Sequence, residues 1–422
     1  MKVINLWVKI AIVVLFCSGN TAFADEFHYN NILIGDRASG MGGAYTAISD
    51  DASGMFYNPA GMVYVSDKNF SASVNAYTTQ IKTYENAIGG QPFVRHSSAL
   101  LANYFGIVKP IGNFKFGFSY AVPDSVGEDM NMTVRNIAAT APATTPFDFT
   151  FNLSNRDNTI NVGPSMAMPI NDNLSIGATL YFHKRDVLII QNLYYARADY
   201  TNQWSNTYFT SSESGLRPIL GVNWAPIEKL SLGASLSTVF LISSNSQRQK
   251  TCVDTLTPTN CAVTEPSAVV QMQVPTLANF DDKRVYPIRI AFGAAYFANS
   301  NLLLSSDLTY HTAVSDPVFG DKVATLDAAF GTEYYLSKKW ALRAGLFSNV
   351  ANTPPIVAGV TNIEEHINLY GGSLSFTHFT GDSSVTIGGS ISYGLGQSQI
   401  TTKDEVQNAS TFGWTMFLSS SY

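Results

Sequence analysis

Five charged side chains in the second half of the chain, Arg289, Asp307, Asp327, Glu333 and Arg343, stand among apolar residues, where charge is costly. In IRIAFGAAYF the apolar positions Ile288, Ile290 and Phe292 share one face, so Arg289 points to the other, and the same alternation turns the remaining four that way. Two chemistries are open to them. A cation there can hold the carboxylate of a ligand, or the charges can neutralise one another across strands. Turn geometry favours the second, with Arg289 nearly opposite Asp307 and Glu333 nearly opposite Arg343.

The other reactive groups are scattered. His28, His96, His183, His311, His366 and His378 include no pair at metal-ligand spacing, and neither a GxSxG nucleophile turn nor a phosphate loop occurs. No metal, cofactor or enzymatic activity is expected, and a net charge of -6 argues against nucleic acid. Cys252 and Cys261 lie in a polar stretch where a loop disulfide could form in an oxidising compartment.

The elements that carry these residues read as strands. In LSIGATLYF, Leu174, Ile176, Ala178, Leu180 and Phe182 alternate with Ser175, Gly177, Thr179 and Tyr181, and LSLGASLSTVF repeats the pattern from Leu230 to Phe240. A period of two with one apolar face is a half-buried strand. Fourteen such segments are expected, near 66–80, 97–108, 112–122, 157–169, 173–188, 213–226, 229–243, 286–297, 301–312, 322–336, 339–349, 366–378, 382–399 and 408–421. Short turns (KPIG, PINDN, PIE, ANSN, SKK, TGD) alternate with longer polar loops. An even strand count, that asymmetry and only 13% charged residues fit an all-β, fourteen-stranded antiparallel transmembrane barrel better than a sandwich. Tyr181, Phe182, Trp224, Trp340, Tyr393, Trp414 and Phe417 fall near strand ends, as membrane-interface aromatics do.

Two N-terminal segments lack this grammar. Lys2 and Lys9, the apolar run Ile10–Phe16 and Ala22-Phe23-Ala24 form a secretory signal over residues 1–24, with export to a bacterial outer membrane the expected destination. Residues 25–65 are rich in Gly and small residues and suit an N-terminal hatch packed in the lumen of the barrel formed by 66–422. Apolar stretches Ala141–Leu153 and Leu188–Tyr200 are read as outer loops able to capture ligand or to pack on one another.

GDRASGMGGAYTAISDDASGMFYNPAGM, residues 35–62, resembles the hatch of the FadL long-chain fatty-acid and hydrocarbon transporter family, and hairpins such as VGPSMAMPINDNLSIGATL and GTEYYLSKKWALRAGLF resemble that family's in order. The resemblance implies passive uptake of hydrophobic small molecules, with hatch movement and lateral release beside a kinked third strand. Carried onto this chain, it marks Asn58, Pro59, Ala60 and Gly61 with upstream Gly42, Gly43, Asp50 and Asp51 as the hatch motif, and Gly117 or Pro123 in FKFGFSYAVP as the kink. The terminal TFGWTMFLSSSY, an alternating strand ending on the aromatic Tyr422, looks like the signal by which barrel-assembly machinery recognises outer-membrane barrels, and contact with outer-membrane lipid and lipopolysaccharide and a monomeric state are expected. A porin for polar solutes and a secretion-associated shuttle barrel remain alternatives.

Overall fold

Strands with one apolar face in lipid must satisfy every backbone group, and closing the sheet on itself does so. The computed structural model describes residues 27–65, 69–137, 147–197, 202–254, 271–272, 276–381, 383–402 and 404–422; the expected signal peptide and Cys261 lie outside them. Fourteen barrel strands follow in order: β1 (Asn69–Ile88), β2 (Gln91–Ile111), β3 (Phe114–Ile137), β4 (Phe147–Asn171), β5 (Leu174–Arg197), β6 (Asn202–Ile227), β7 (Leu230–Ser237 and Phe240–Asp254), β8 (Gln271–Met272, Thr276–Phe280 and Arg289–Asn299), β9 (Leu302–His311), β10 (Thr325–Ser337), β11 (Trp340–Asn349), β12 (Glu365–Phe379), β13 (Ser384–Thr402) and β14 (Glu405–Ser421). Neighbours are antiparallel, and β14 returns to β1 from Ser71↔Ser421 to Tyr84↔Ala409, which closes the cylinder. No helix among the described residues is long and apolar enough to cross a membrane; the strands do the crossing.

The alternation holds through the apolar band. In β5, Ile176, Leu180 and Phe182 are exposed on the outer wall, whereas Ser175, Thr179 and Tyr181 are buried inside. Tyr181 and Phe417 are therefore not interface aromatics: both point inward, and the Tyr181 hydroxyl lies 2.7 Å from Ser119 Oγ.

Strands β1 to β6 run 20–26 residues, about twice the roughly 9–11 needed to cross. Above the membrane their polarity inverts. In β4 the inward positions change from Asn161 and Ser165 to Phe149, Phe151 and Leu153; in β5 they change from Thr179 and Tyr181 to Val187, Ile189 and Leu193. These residues form a packed outer cluster with Tyr84, Phe93 and Phe209. The expected capture loops are thus strand extensions over 147–153 and 188–197, with the apolar side chains named above turned into the barrel. The physical cause is the change of solvent: lipid demands apolar residues outside, and water demands them inside.

Two breaches interrupt the ladder. Between β2 and β3, pairing stops at Tyr104↔Ala121 and resumes at Ser97↔Glu128. Between β7 and β8 it stops at Arg289↔Ser237 and resumes at Phe280↔Ser246.

Candidate functional site

The hatch folds as α1 (Asp36–Gly40), α2 (Gly54–Tyr57) and a 3-10 turn (Pro59–Tyr64) joined by tight turns. Gly42 and Gly43 sit at φ +65 and +86, a region that side chains other than Gly enter at a cost. Ile34, Met41, Tyr45, Ile48, Met55 and Met62 are buried in one core with Tyr104, Val108, Ala167 and Leu303 of the wall. Wall glycines admit this contact. A Cβ on Gly345 would collide with the backbone of Met41 and Gly42, and one on Gly177 with Pro59.

Polar inward residues of the barrel then satisfy the hatch backbone. Ser231 Oγ and Asn223 Nδ2 donate to the Ala47 carbonyl at 2.7 and 3.0 Å, Thr179 Oγ1 to Met55 at 2.8 Å and Ser175 Oγ to Ala60 at 3.0 Å. Asn58 is the central clasp. Its Nδ2 donates to Thr46 O at 2.8 Å and to Val222 O of β6 at 3.0 Å, while its Oδ1 accepts from Ala60 N at 3.2 Å. Pro59 fits the first position of the 3-10 turn, where no amide donor is needed. Gly61 packs where a Cβ would strike Ser49. Asp51 caps Ser53 through its amide at 2.7 Å and hydroxyl at 2.6 Å, and burial, reinforced by Asp36, pushes its carboxyl above the usual carboxylate range.

The inward charges divide into three roles. Glu333 and Arg343 pair at 2.7 Å as the hairpin predicts, and a third partner joins from the hatch: Arg37 Nη2 lies 2.6 Å from Glu333 and Nη1 2.5 Å from Asp50. Arg289 and Asp307 do not pair. The short turn at Ser300-Asn301 sets Arg289 opposite His311 and Asp307 opposite Gly293, four residues out of step. Asp307 Oδ2 instead accepts the hatch amides of Tyr45 and Thr46 at 3.0 and 2.8 Å. Asp327 Oδ1 accepts from Val350 N at 2.8 Å, and its Oδ2 accepts from Asn30 Nδ2 at 3.3 Å. Cys252 is disulfide-bonded and buried.

Above the hatch lies a cavity of about 210 Å³. Its walls include Tyr29, Phe56, Tyr57, Tyr286 and Phe319, with Arg217 and Arg289 among them. The Arg217 guanidinium stands 4.8 Å over the Phe56 ring, and Arg289 Nη1 reaches Ser235 Oγ at 3.4 Å. Among the described residues no carboxylate is within ion-pairing distance of either, whereas Arg185 and Arg284 are matched by Asp157 and Glu213 at 2.6 and 3.4 Å. Arg217 escaped the sequence reading because Pro218 and Gly215 blur the alternation around it.

The leader peptide 27–33 crosses the lumen beside this cavity. Asn352 N donates to Phe27 O at 2.8 Å, Ile32 N to Pro123 O at 3.1 Å, and Asn103 Nδ2 to Leu33 O at 3.0 Å. Ile32 and Leu33 are therefore stitched to both edges of the β2/β3 breach. The irregularity in β3 lies between Ala121 and Asp124, at Pro123; Gly117 stays in the ladder opposite Val108 and Ser165 and packs near Met55 of the hatch.

A family profile described as outer membrane protein transport protein (OMPP1/FadL/TodX) matches residues 15–356. The chain belongs to this family. Its fold is shared with a Pseudomonas aeruginosa FadL homologue (TM-score 0.64, 17% identity, 94% of this chain and 99% of that one), the P. putida toluene transporter TodX (0.59, 15%, 92% and 97%) and the Ralstonia pickettii toluene transporter TbuX (0.58, 14%, 93% and 98%). Comparison with curated protein sequences finds no match. As a member of the OMPP1/FadL/TodX family the protein is an outer-membrane β-barrel, and the family is one of transport proteins.

Proposed function

We propose that this protein carries hydrophobic molecules of about single-ring bulk passively through the outer membrane, with the hatch and leader peptide yielding to release them sideways through the β2/β3 breach. The cavity above the hatch carries the reading. A dry cavity of about 150 Å³ accepts benzene, so 210 Å³ lined by five aromatic rings suits one substituted ring and is too small to enclose a long acyl chain. Burial worth about 0.8 kcal/mol per carbon gives a seven-carbon solute about 5–6 kcal/mol, a Kd on the order of 0.1 mM, weak enough to let it leave. Arg217 and Arg289, lacking carboxylate partners, supply a place for an anionic head on such a ring. The two toluene transporters of like fold support the ring-sized reading.

The test is uptake of radiolabelled toluene, benzoate, palmitate and sucrose by a porin-depleted strain expressing the protein. Toluene and benzoate should enter well above the empty-vector rate, palmitate more slowly and sucrose not at all. Arg217→Met should slow benzoate about tenfold and spare toluene. Sucrose entering as fast as toluene would overturn the reading in favour of a porin.

A further inference from the structure

We infer that the cavity exchanges apolar solutes with the outer leaflet through a second side opening, the β7/β8 breach, held shut by side chains alone. The inference rests on the uptake function proposed above. Residues 238–245 of β7 face residues 281–288 of β8 with no ladder pair between them, a length of about 26 Å at 3.3 Å per residue. It is β8 that departs. β7 stays bonded to β6 through Leu216↔Phe240 and Ser212↔Asn245. The β8 segment leans instead on the opposite side, where Thr312 N donates to Ile288 O at 3.0 Å, Ile288 N to Thr312 Oγ1 at 3.1 Å and Val285 N to Asp316 Oδ2 at 3.0 Å.

The two breaches are closed by different means. At β2/β3 the main chain of Ile32 and Leu33 occupies the space and bonds to both edges. At β7/β8 the span is made by Glu213, which reaches from β6 to accept from Arg284 Nε at 3.4 Å and from the Tyr286 hydroxyl at 3.0 Å. A leader peptide must unthread to open the first; at the second, a rotamer change at Glu213 releases its bonds to Arg284 Nε and the Tyr286 hydroxyl. Thr238, Val239, Arg284, Val285 and Tyr286 line the cavity at the inner mouth, and Phe240, Ile242 and Ile288 stand exposed on the outside. The breach starts nine residues above the turn at Lys229, which for a strand tilted about 40° is roughly 23 Å up, at the outer edge of an apolar band about 25 Å tall. Solute leaving at this lower end meets acyl chains, whereas the rest of the breach, about 20 Å of height, stands above the band.

The experiment staples the breach. Thr238→Cys with Ile288→Cys, treated with dibromobimane, which fluoresces when it joins two thiols, locks β8 to β7; the buried disulfide of Cys252 is not a target. Stapled protein in a porin-depleted strain should import labelled toluene at least fivefold more slowly than the untreated variant, while the native protein with reagent keeps its rate. Glu213→Gln, which weakens the strap without altering its size, should raise toluene uptake about threefold. Stapled protein that imports at the untreated rate overturns the opening, as does an unchanged rate in Glu213→Gln. An untreated protein with no toluene uptake above empty vector would instead defeat the transport reading, so the two failures are distinct.

Discussion

Removing Glu333 should loosen the hatch far more than it disturbs the barrel. The carboxylate is fully buried and holds Arg343 of β11 at 2.7 Å and Arg37 of the hatch at 2.6 Å. When the hatch undocks from the native barrel, the Glu333–Arg343 pair persists, so only the Arg37 contact is lost. In Glu333→Ala the docked hatch instead faces the Arg343 guanidinium with Asp50 as the one carboxylate bonded to Arg37. A hydrogen bond to a charged group contributes about 1.5–3 kcal/mol, and breaking a buried pair costs about 3–5 kcal/mol. Asp50 at 2.5 Å retains part of the compensation, so about 3 kcal/mol is the reasonable figure, near 150-fold in the docking equilibrium. Hydrogen exchange with mass spectrometry on residues 36–48 in nanodiscs reads this directly. Glu333→Ala should exchange there about 150-fold faster, Glu333→Gln about tenfold, with strands β1 to β6 unchanged. If exchange in 36–48 matches the native protein while the barrel stays intact, the ion triad does not fasten the hatch and backbone packing alone holds it.

Gly345→Val would push a side chain into Met41 and Gly42, so cleavage of the hatch by an added protease should rise at least tenfold while the barrel core stays resistant. Asn58→Ala leaves the buried Thr46 and Val222 carbonyls each without the amide that meets them, at about 1–3 kcal/mol, and should raise exchange in 44–62 by about 5- to 150-fold without changing heat-modifiable migration. In the outer loop, burial pushes the Glu364 carboxyl up to about 7 despite Arg95 at 3.2 Å, with Glu365 adding to the rise. A raised carboxyl stabilises the packed loop below the ordinary carboxylate range and loses that contribution as pH rises through about 7. Amide protection across 353–366 should therefore fall as pH rises from about 4.5 to about 7 and level off above that, and Glu364→Gln should flatten the profile.

The alternation of LSIGATLYF and of the segments like it sufficed to show strands and their number, because a two-residue period sets two faces on each strand of a closed sheet. The loss of that alternation in residues 25–65 singled out the hatch for the same reason. Glu333 opposite Arg343 was legible because a short turn fixes hairpin register; Arg289 opposite Asp307 was misjudged because four residues of register decide a contact of a few ångströms. Local pattern also could not tell that Phe149 and Phe151 face inward above the membrane, since alternation says that two faces differ and not which solvent bathes each.

Other features arise from the folded cylinder alone. Arg37 meets Glu333 across 296 residues, Ile32 meets Pro123 across a wall gap, and Glu213 reaches from β6 past β7 to the β8 segment. Such contacts depend on curvature and on what the lumen already contains, which no linear spacing encodes. The sequence by itself determined a lipid-facing barrel with an irregular leader; only the closed wall decided where it is thin, what blocks each opening and which two arginines face the cavity without a carboxylate partner, because those follow from distances between strands far apart in the chain.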